Sequence, residues 1–258
     1  MSLAPVNLSK GKILEKDSLV EKVSYRCPIC GAENSFVPFN GRPLARCSKC
    51  LCVERNRLMW LAINQLGLPK KTSRVLHFAP EYGIASRISA ICGDNYEACD
   101  LAPERYKSRF FTVKRFDLCT DLRSIPDAAF DLTLHNHVLE HLPCSMETVL
   151  RQLDRVLSPG GVHLFSVPLR GDYTQEDVSP DLSPEERRKR FGQEDHLRIF
   201  GVRDLTALLR QVWGQEEVLF DFRGAFDEEY LTQSGIPPDI LTKTTSHSIF
   251  LRHKPRES

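Results

Sequence analysis

The sequence contains no hydrophobic run that approaches the roughly 20 apolar residues of a membrane-spanning helix. Residues 1–16 also lack the positively charged start, the apolar stretch and the small-residue cleavage site of a signal peptide. Neither sign of charge is in excess, since the formal net charge is +1, so composition gives no electrostatic reason to expect a nucleic-acid partner. These absences predict a soluble, cytoplasmic protein that binds no membrane.

The chain of 258 residues is long enough for one large domain and a small appendage, and it shows no internal repeat. Residues 69–73 form the natural boundary, because Gly67 and Pro69 end a helical segment there. We therefore predict an N-terminal domain over residues 1–66 and a larger domain over residues 74–258. Nothing in the sequence indicates the oligomeric state.

Four of the nine cysteines form two C-x2-C pairs, at Cys27 and Cys30 and at Cys47 and Cys50. In a cytosolic chain we expect cysteines to stay reduced, and paired cysteines at this separation are typical of a tetrahedral zinc site. Four thiolates leave no position open for water, so the predicted zinc ribbon is structural rather than catalytic. The alternative is four unrelated buried cysteines. Cys52 is a nearby thiol whose spacing fits less well.

An apolar stripe over residues 53–66 predicts a helix that joins the ribbon to the larger domain. Four polar residues stand at its start and could reach the ribbon or a substrate, although we expect a solvated first turn. They are Glu54, Arg55, Asn56 and Arg57.

Beyond the boundary, apolar strand-like runs alternate with helical patterns, which indicates a parallel sheet with helices on both faces. The predicted strands cover residues 74–78, 96–100, 130–135 and 162–167. Helices are predicted over residues 84–91, after Ser145, from Pro184, and around Leu205. The runs 218–222 and 248–251 could pair as closing strands.

In such a sheet the ligand crevice lies beyond the carboxyl ends of the strands. A turn with Gly83 follows the first strand, at the position of a glycine-rich loop. Asp100 ends the next strand, where a carboxylate can accept hydrogen bonds from both hydroxyls of a ribose. Asp117 could meet an adenine amino group, and His135 and Asn136 stand where the strand predicted over residues 130–135 opens onto the crevice.

Three motifs in the correct order resemble the later motifs of class I S-adenosylmethionine-dependent methyltransferases of the type 11-like group. They are Ser-Ile-Pro to Phe-Asp (124–131), Val-Leu-Glu-His-Leu (138–142) and Arg-Val-Leu-Ser-Pro-Gly-Gly (155–161). The resemblance covers residues 74–167. It implies a Rossmann-like, seven-stranded, mostly parallel, doubly wound sheet with a reversed last strand, preceded by the zinc ribbon. It also implies S-adenosylmethionine as cofactor, bound by His77, Ala79, Glu81, Gly83, Asp100, Leu101, Asp117, Leu118, His135 and Asn136.

The first loop departs from the family pattern. His77 stands where the acidic residue at the end of the first strand is usual, and Ala79 and Glu81 replace the first glycines. The Glu81 carboxylate could pair with the methionyl ammonium group of the cofactor, or it could narrow the site. We expect the pairing, because the later motifs are intact.

Methyl transfer from a sulfonium is an in-line displacement that needs alignment and exclusion of water, and a hydroxyl acceptor gains from a general base. His137 and His196 are the candidate bases, whereas His141 of the Leu-Glu-His motif is expected to be structural. His196 lies in the segment after the fifth strand of the family, where the resemblance implies a substrate-binding insertion, and its polar neighbours are expected to bind the substrate. They are Gln193, Asp195 and Arg198.

Three functions remain open. The favoured one is methylation of a small-molecule or glycan acceptor. An RNA methyltransferase that binds RNA through the ribbon is permitted by its arginines, although the ribbon lacks interleaved aromatic residues for base stacking. A non-enzymatic relative with weakened cofactor binding would explain the altered first loop.

Overall fold

A computed structural model describes residues 23–256 of the protein. The prediction about residues 1–16 and the first 22 residues of the predicted N-terminal domain lie outside the described residues. The strands are, in chain order, β1 (Phe36–Phe39), β2 (Arg42–Cys47), β3 (Val75–Phe78), β4 (Tyr96–Asp100), β5 (Val113–Arg115), β6 (Phe130–Asn136), β7 (Leu157–Ser166), β8 (Gln175–Glu176), β9 (Arg198–Ile199) and β10 (Phe250–His253). The α-helices are α1 (Glu54–Gln65), α2 (Tyr82–Cys92), α3 (Met146–Val156), α4 (Pro184–Phe191), α5 (Val202–Trp213), α6 (Phe222–Ala225) and α7 (Glu228–Gln233).

The central sheet has the strand order β10-β7-β6-β3-β4-β5. Five strands run parallel, and β10 pairs antiparallel with β7, as the reversed last strand of the resemblance implies. The chain moves outward from β3 through β4 to β5, then returns to lay β6 against the other side of β3. The reversal therefore lies between β3 and β6, where open parallel sheets bind their ligands. The Rossmann-like, mostly parallel fold is confirmed.

The sheet has six strands in the described part of the chain, not the seven that the resemblance implies. The expected strand near residues 218–222 is reduced to one bridge between Leu219 and Phe250. Helix α6 begins at Phe222 because the Asp221 side chain accepts hydrogen bonds from two backbone N–H groups there, which ends extended structure.

Apolar side chains on the two faces of the sheet form two core clusters. One face is covered by α3 and α5, whose apolar stripes match the predicted helices. The other is covered by α1 and α2 together with ribbon residues, among them Ile29 and Phe36. The ribbon therefore shares a core with the larger domain.

The first turn of α1 is buried, so the expectation of a solvated turn is wrong. Arg57 is 0% exposed and donates hydrogen bonds to the backbone carbonyls of Ala45, Leu44, Cys52 and Gly235. Its guanidinium also lies 4.3 Å from the ring centroid of Phe36. These polar residues anchor the ribbon because the ribbon's loops offer backbone carbonyls that need donors.

Cys119 and Cys144 form a disulfide, contrary to the expectation that the cysteines stay reduced. The bond joins the segment after β5 to the segment before α3. Within residues 23–256, no helix combines the length and the apolar composition that crossing a membrane requires.

Candidate active site

The loop after β3 brings Glu81 to the point where the strand order reverses. Ala79 turns the chain with φ +48°, and its N–H donates to the carbonyl of Cys99 at the end of β4. Glu81 then precedes the first residue of α2, but its side chain makes no capping hydrogen bond to that helix. It points instead to His77 on β3.

The Glu81 carboxylate is the centre of a hydrogen-bond network. Oε1 accepts from Asn56 Nδ2 and from Asn136 Nδ2, both at 2.8 Å. Oε2 lies 3.2 Å from His77 Nε2, and the other ring nitrogen of His77 lies 3.0 Å from the hydroxyl of Tyr96. Helix α1 and the strands β3 and β6 thus each contribute a polar group to one carboxylate, and Tyr96 at the start of β4 contacts it only through His77.

Burial alone would raise the pKa of Glu81. The hydrogen bond from His77, the charges of His77 and Arg55, and the amide of Asn136 outweigh burial and hold that pKa below its ordinary value. The side chain keeps 21% of its surface exposed. Glu81 is therefore an ionised carboxylate that faces the crevice with one side open.

Asp100 lies at the end of β4, as predicted. Its Oδ1 accepts from the N–H of Ala102 at 2.8 Å and its Oδ2 from the hydroxyl of Tyr106 at 2.6 Å. Each carboxylate oxygen keeps a lone pair for a further donor. The next residue, Leu101, is 54% exposed, so an apolar side chain is available beside this carboxylate.

Asp117 and Leu118 follow β5 in a tight turn. The Asp117 carboxylate accepts from the N–H of Cys119, and the Leu118 side chain is buried. The disulfide of Cys119 holds this turn against Cys144.

The last two residues of β6 face different surroundings. Asn136 belongs to the Glu81 network, and its Oδ1 accepts from the hydroxyl of Ser166 at 2.6 Å. His135 is 0% exposed, with its Nε2 3.2 Å from Nε2 of His163 and its ring stacked on Phe165. Burial, followed by the neighbouring charge of His163, holds the pKa of His135 well below its ordinary value. The structure places this ring in the core, away from the Glu81 network.

His137, His141 and His196 gather around Glu140. His137 Nδ1 lies 3.3 Å and His196 Nε2 lies 3.9 Å from Glu140 Oε1. The rings of His141 and His196 meet edge to face at 4.9 Å. His196 is 3% exposed, and burial lowers its pKa although Glu140 opposes the shift. Sequence reasoning named the histidines but missed Glu140.

The three predicted substrate-binding residues do not lie together in the structure. Gln193 and Asp195 are exposed, and only Asp195 contacts the histidines, through its backbone carbonyl and its carboxylate near His141. Arg198 is 1% exposed and donates to the carbonyls of Leu139 and Leu142, which fastens this strand to the histidine turn. Arg198 also lines a cavity of about 470 Å³.

That cavity is built from segments after β6 and β7 and from the first turns of α3 and α5. Apolar side chains of Met146, Phe200 and Leu205 line it together with Glu176 and Asp204. Its volume and its mixed lining suit a small organic ligand.

The four predicted ribbon cysteines come together. Cys27 Sγ lies 3.6 Å from Cys50 Sγ, Cys30 Sγ lies 3.6 Å from Cys47 Sγ, and all four sulfurs lie within 4.8 Å of one another. Sulfurs bound to one zinc at about 2.3 Å would be separated by roughly 3.8 Å, so the donor set fits a tetrahedral ion. Both pairs sit on equivalent turns, closed by Gly31 N–H to Cys27 O and by Leu51 N–H to Cys47 O.

Gly83 serves the ribbon interface. A Cβ on Gly83 would lie 2.4 Å from Sγ of Cys52 and 3.3 Å from the carbonyl of Cys50. Glycine is therefore needed at this position for close approach of the ribbon to α2.

Replacing Gly83 with alanine should lower the free energy of unfolding by about 1–3 kcal/mol, because the added methyl group overlaps the Cys52 sulfur. Chemical denaturation measures the change. The double variant Gly83→Ala, Cys52→Ala should recover part of the loss, since the nearest overlapping atom is gone. Equal losses in the single and the double variant would exclude this overlap as the cause.

Sequence reasoning did not place Asn56, Tyr96, Tyr106 or Ser166 among the site residues, although Asn56 was one of four polar residues that could reach a substrate. The first three contact predicted residues from positions 6 to 25 residues away in the chain, and Ser166 lies 30 residues from Asn136. Ser166 had a usable signal, because it ends a strand next to β6 at the carboxyl edge of the sheet.

Comparison with known proteins gives one matching family, described as methyltransferase domain, over residues 54–212. No curated protein matches the chain. Among solved structures, the cyclase SpnF is 18% identical with a TM-score of 0.48, covering 86% of this chain and 88% of its own. An S-adenosylmethionine-dependent methyltransferase from Mesorhizobium loti is 15% identical with a TM-score of 0.45, and the match covers 76% of this chain and 97% of that protein. Another methyltransferase, from Archaeoglobus fulgidus, is 13% identical with a TM-score of 0.46, and the match covers 78% of this chain and 94% of that protein.

Proposed function

The chain belongs to the methyltransferase domain family of class I S-adenosylmethionine-dependent enzymes, and from this premise we propose that it methylates a hydroxyl of a small-molecule or glycan acceptor. The observation that supports cofactor binding is the ionised, partly exposed carboxylate of Glu81 beside β3. A cavity of about 470 Å³ has the volume for a small acceptor, and Arg198 on its lining is hydrogen-bonded to the turn that carries His141. Two of the ribbon arginines that an RNA-binding role would use are engaged within the protein, because Arg57 is buried and Arg42 pairs with Glu54.

The residues at the strand ends fit S-adenosylmethionine. Glu81 would bind the methionyl ammonium group, taking over the task of the acidic residue that His77 replaces. Asp100 would hold the ribose hydroxyls with its two remaining lone pairs, and exposed Leu101 would cover one face of the adenine. Asp117 and Leu118 would bound the adenine at the turn after β5.

When bound, S-adenosylmethionine supplies a methyl carbon whose bond to sulfur breaks as the acceptor oxygen takes it, with the bonding electron pair passing to sulfur. His137 is the candidate base for the hydroxyl proton. Its side chain is 21% exposed, and it follows directly after Asn136 of the Glu81 network. His137 therefore belongs to the histidine cluster and directly follows a residue of the proposed cofactor site.

We further propose that the ribbon holds one structural zinc ion through Cys27, Cys30, Cys47 and Cys50. The domain division at residues 1–66 and 74–258 is part of the same proposal. In this arrangement the ribbon does not supply chemistry. It positions α1, and thereby Asn56, against Glu81.

Replacing Asp100 with alanine should weaken S-adenosylmethionine binding at least tenfold, because buried ribose hydroxyls would lose a charged acceptor worth about 1.5–3 kcal/mol. Isothermal titration measures the affinity. Asp94→Ala removes an exposed carboxylate just before β4 and is the matched control. A folded Asp100→Ala protein with unchanged affinity would place the ribose elsewhere.

The acceptor class is tested with methyl-labelled S-adenosylmethionine and three acceptor pools. We expect label in hydroxyl compounds or oligosaccharides, as an ether that resists mild base. Label only in an RNA pool would overturn the acceptor proposal while leaving methyl transfer intact. Cofactor binding without transfer to any pool would favour the non-enzymatic relative.

A further inference from the structure

Glu140 is a buried carboxylate without a hydrogen-bond partner. The residue is 0% exposed, and neither carboxylate oxygen accepts a hydrogen bond within the described part of the chain. Burying an uncompensated carboxylate costs several kcal/mol, so a cation or a donor is needed at this position. The mechanism proposed above makes no use of this group.

The neutral histidines around Glu140 do not supply the missing donor. His137 Nδ1 lies 3.3 Å from Glu140 Oε1, but His137 Nε2 faces the carbonyl of Ser246 at 3.4 Å, so Nδ1 of the neutral ring carries a lone pair. His196 Nδ1 lies 3.1 Å from the carbonyl of Phe191, and His141 Nδ1 lies 3.2 Å from the carbonyl of Asp195. A carbonyl oxygen only accepts, so each Nδ1 carries the proton and each Nε2 of a neutral ring carries a lone pair. His196 Nε2 therefore presents a lone pair to Glu140 Oε1 at 3.9 Å, which is too long for a hydrogen bond.

This arrangement brings three potential metal ligands close together. Glu140, His141 and His196 each offer one ligand atom, and the three atoms lie within 4.8 Å of one another. Ligands bound at about 2.0–2.2 Å to one ion are separated by roughly 3–4 Å. Backbone carbonyls that fix the tautomer of ligating histidines are the usual outer partners of such sites.

The protein holds these ligands in place from outside the cluster. Arg198 Nη1 donates to the carbonyls of Leu139 and Leu142, on either side of Glu140 and His141. The N–H of Leu197 donates to the carbonyl of Glu140. The segment that carries His196 is thus fastened to the turn that carries the other two ligands, although Glu140 and Leu197 are 57 positions apart in the sequence.

We propose that Glu140, His141 and His196 bind a divalent transition-metal ion, separate from the ribbon zinc, with coordination positions left open. Two imidazoles and one carboxylate suit ions such as Zn²⁺, Mn²⁺ or Co²⁺. Glu140 and His196 are buried, while the His141 side chain is 34% exposed, so the open positions face the side of His141.

The role of the ion rests on the proposed function: it holds the acceptor hydroxyl. When bound, the ion would lower the pKa of the acceptor hydroxyl, and His137 would take the hydroxyl proton. A lone pair of that oxygen then forms the bond to the methyl carbon as the carbon–sulfur bond breaks and its electron pair goes to sulfur. In this proposal His196 is a metal ligand, not the general base.

Equilibrium dialysis of the zinc-loaded protein against Co²⁺ tests the site without cofactor or acceptor. We expect one additional Co²⁺ per chain, with ligand-field absorption and without the thiolate-to-cobalt charge transfer that exchange into the ribbon would give. Glu140→Gln and His196→Gln should each weaken Co²⁺ binding by at least about 100-fold, since they remove a ligand. His253→Gln, an exposed histidine on β10, should bind Co²⁺ as the parent does.

The melting temperature shows whether each variant is folded. Co²⁺ should raise the melting temperature of the parent but not that of Glu140→Gln, because ligands that bind only the native state stabilise it. No Co²⁺ uptake by the folded parent, or unchanged uptake by Glu140→Gln, overturns the metal site.

Titration of S-adenosylmethionine on the same samples separates the two proposals. Co²⁺ uptake without cofactor binding would contradict the proposed function but support the metal site. Cofactor binding without Co²⁺ uptake would support the proposed function and contradict the metal site.

Discussion

Replacing Glu81 with glutamine is expected to reduce the affinity for S-adenosylmethionine by roughly 30-fold to several thousand-fold. The substitution keeps the shape of the side chain, and an amide oxygen can still accept from Asn56 and Asn136. It removes the negative charge that faces the methionyl ammonium group. Removing one partner of a partly buried charge pair costs about 2–5 kcal/mol, and each 1.4 kcal/mol is tenfold in affinity.

Isothermal titration on the folded variant measures this loss. Glu97→Gln is the matched control, because Glu97 on β4 pairs with Lys114 at the surface and its side chain is 40% exposed. A Glu81→Gln protein that binds the cofactor like the parent would show that Glu81 narrows the site without binding the ammonium group, which was the second interpretation of this carboxylate.

The lowered pKa of Glu81 gives a second measurement on the same variant. A carboxyl group with a lowered folded-state pKa stabilises the protein above its ordinary pKa of about 4.3, and this contribution is lost as the pH falls through the lowered value. The free energy of unfolding of the parent, compared with that of Glu81→Gln, should therefore decline on acidification below about pH 4.3. A difference independent of pH down to the acid transition would argue against an ionised Glu81.

The regular elements were predictable because their periodicity is local. The strand at residues 96–100, the helix from Pro184 with its capping box, and α5 each match the pattern of their own residues. Strand β5 escaped notice because it has three residues, two of them charged. The extension of β7 back to Leu157 escaped because Ser-Pro-Gly-Gly indicates a turn.

The sequence placed candidate residues at strand ends and in the loops that follow them, and missed most of their partners elsewhere. Strand-end residues such as Asn136 can be located from the sheet alone, because parallel strands end at a common edge. Asn56 could not, since a polar residue in the first turn of a helix has the pattern of a solvated position, and only the docking of α1 brings it to Glu81. Glu140 was passed over because its motif is common in the family, whereas its lack of a partner is visible only in three dimensions.

We expect the zinc ribbon to be required for the folding of its own residues and also for the arrangement of the residues that bind the cofactor. The double variant Cys27→Ser, Cys47→Ser removes one thiolate from each pair and should bind no ribbon zinc. The binding free energy of a structural zinc is about 10–16 kcal/mol, which is comparable to the total stability of an ordinary domain. We therefore expect the ribbon to unfold at ambient temperature.

Unfolding of the ribbon should propagate to Glu81 through α1. Arg57 would lose its acceptors at Ala45 and Cys52, leaving a buried guanidinium with fewer partners. The first turn of α1 would loosen, and Asn56 would no longer donate to Glu81. The variant should lose zinc, melt at a lower temperature and bind S-adenosylmethionine at least tenfold more weakly.

Elemental analysis, thermal melting and isothermal titration are compared with those of Cys92→Ser, which changes a buried cysteine of α2 outside the cluster. That control should keep its zinc and its affinity, because none of the four sulfurs is touched. Zinc content equal to that of the parent in the double variant would contradict the assignment. Loss of zinc with full cofactor affinity would leave the metal site standing but show that Asn56 holds its position without the ribbon, since α1 also packs on the sheet through the shared core.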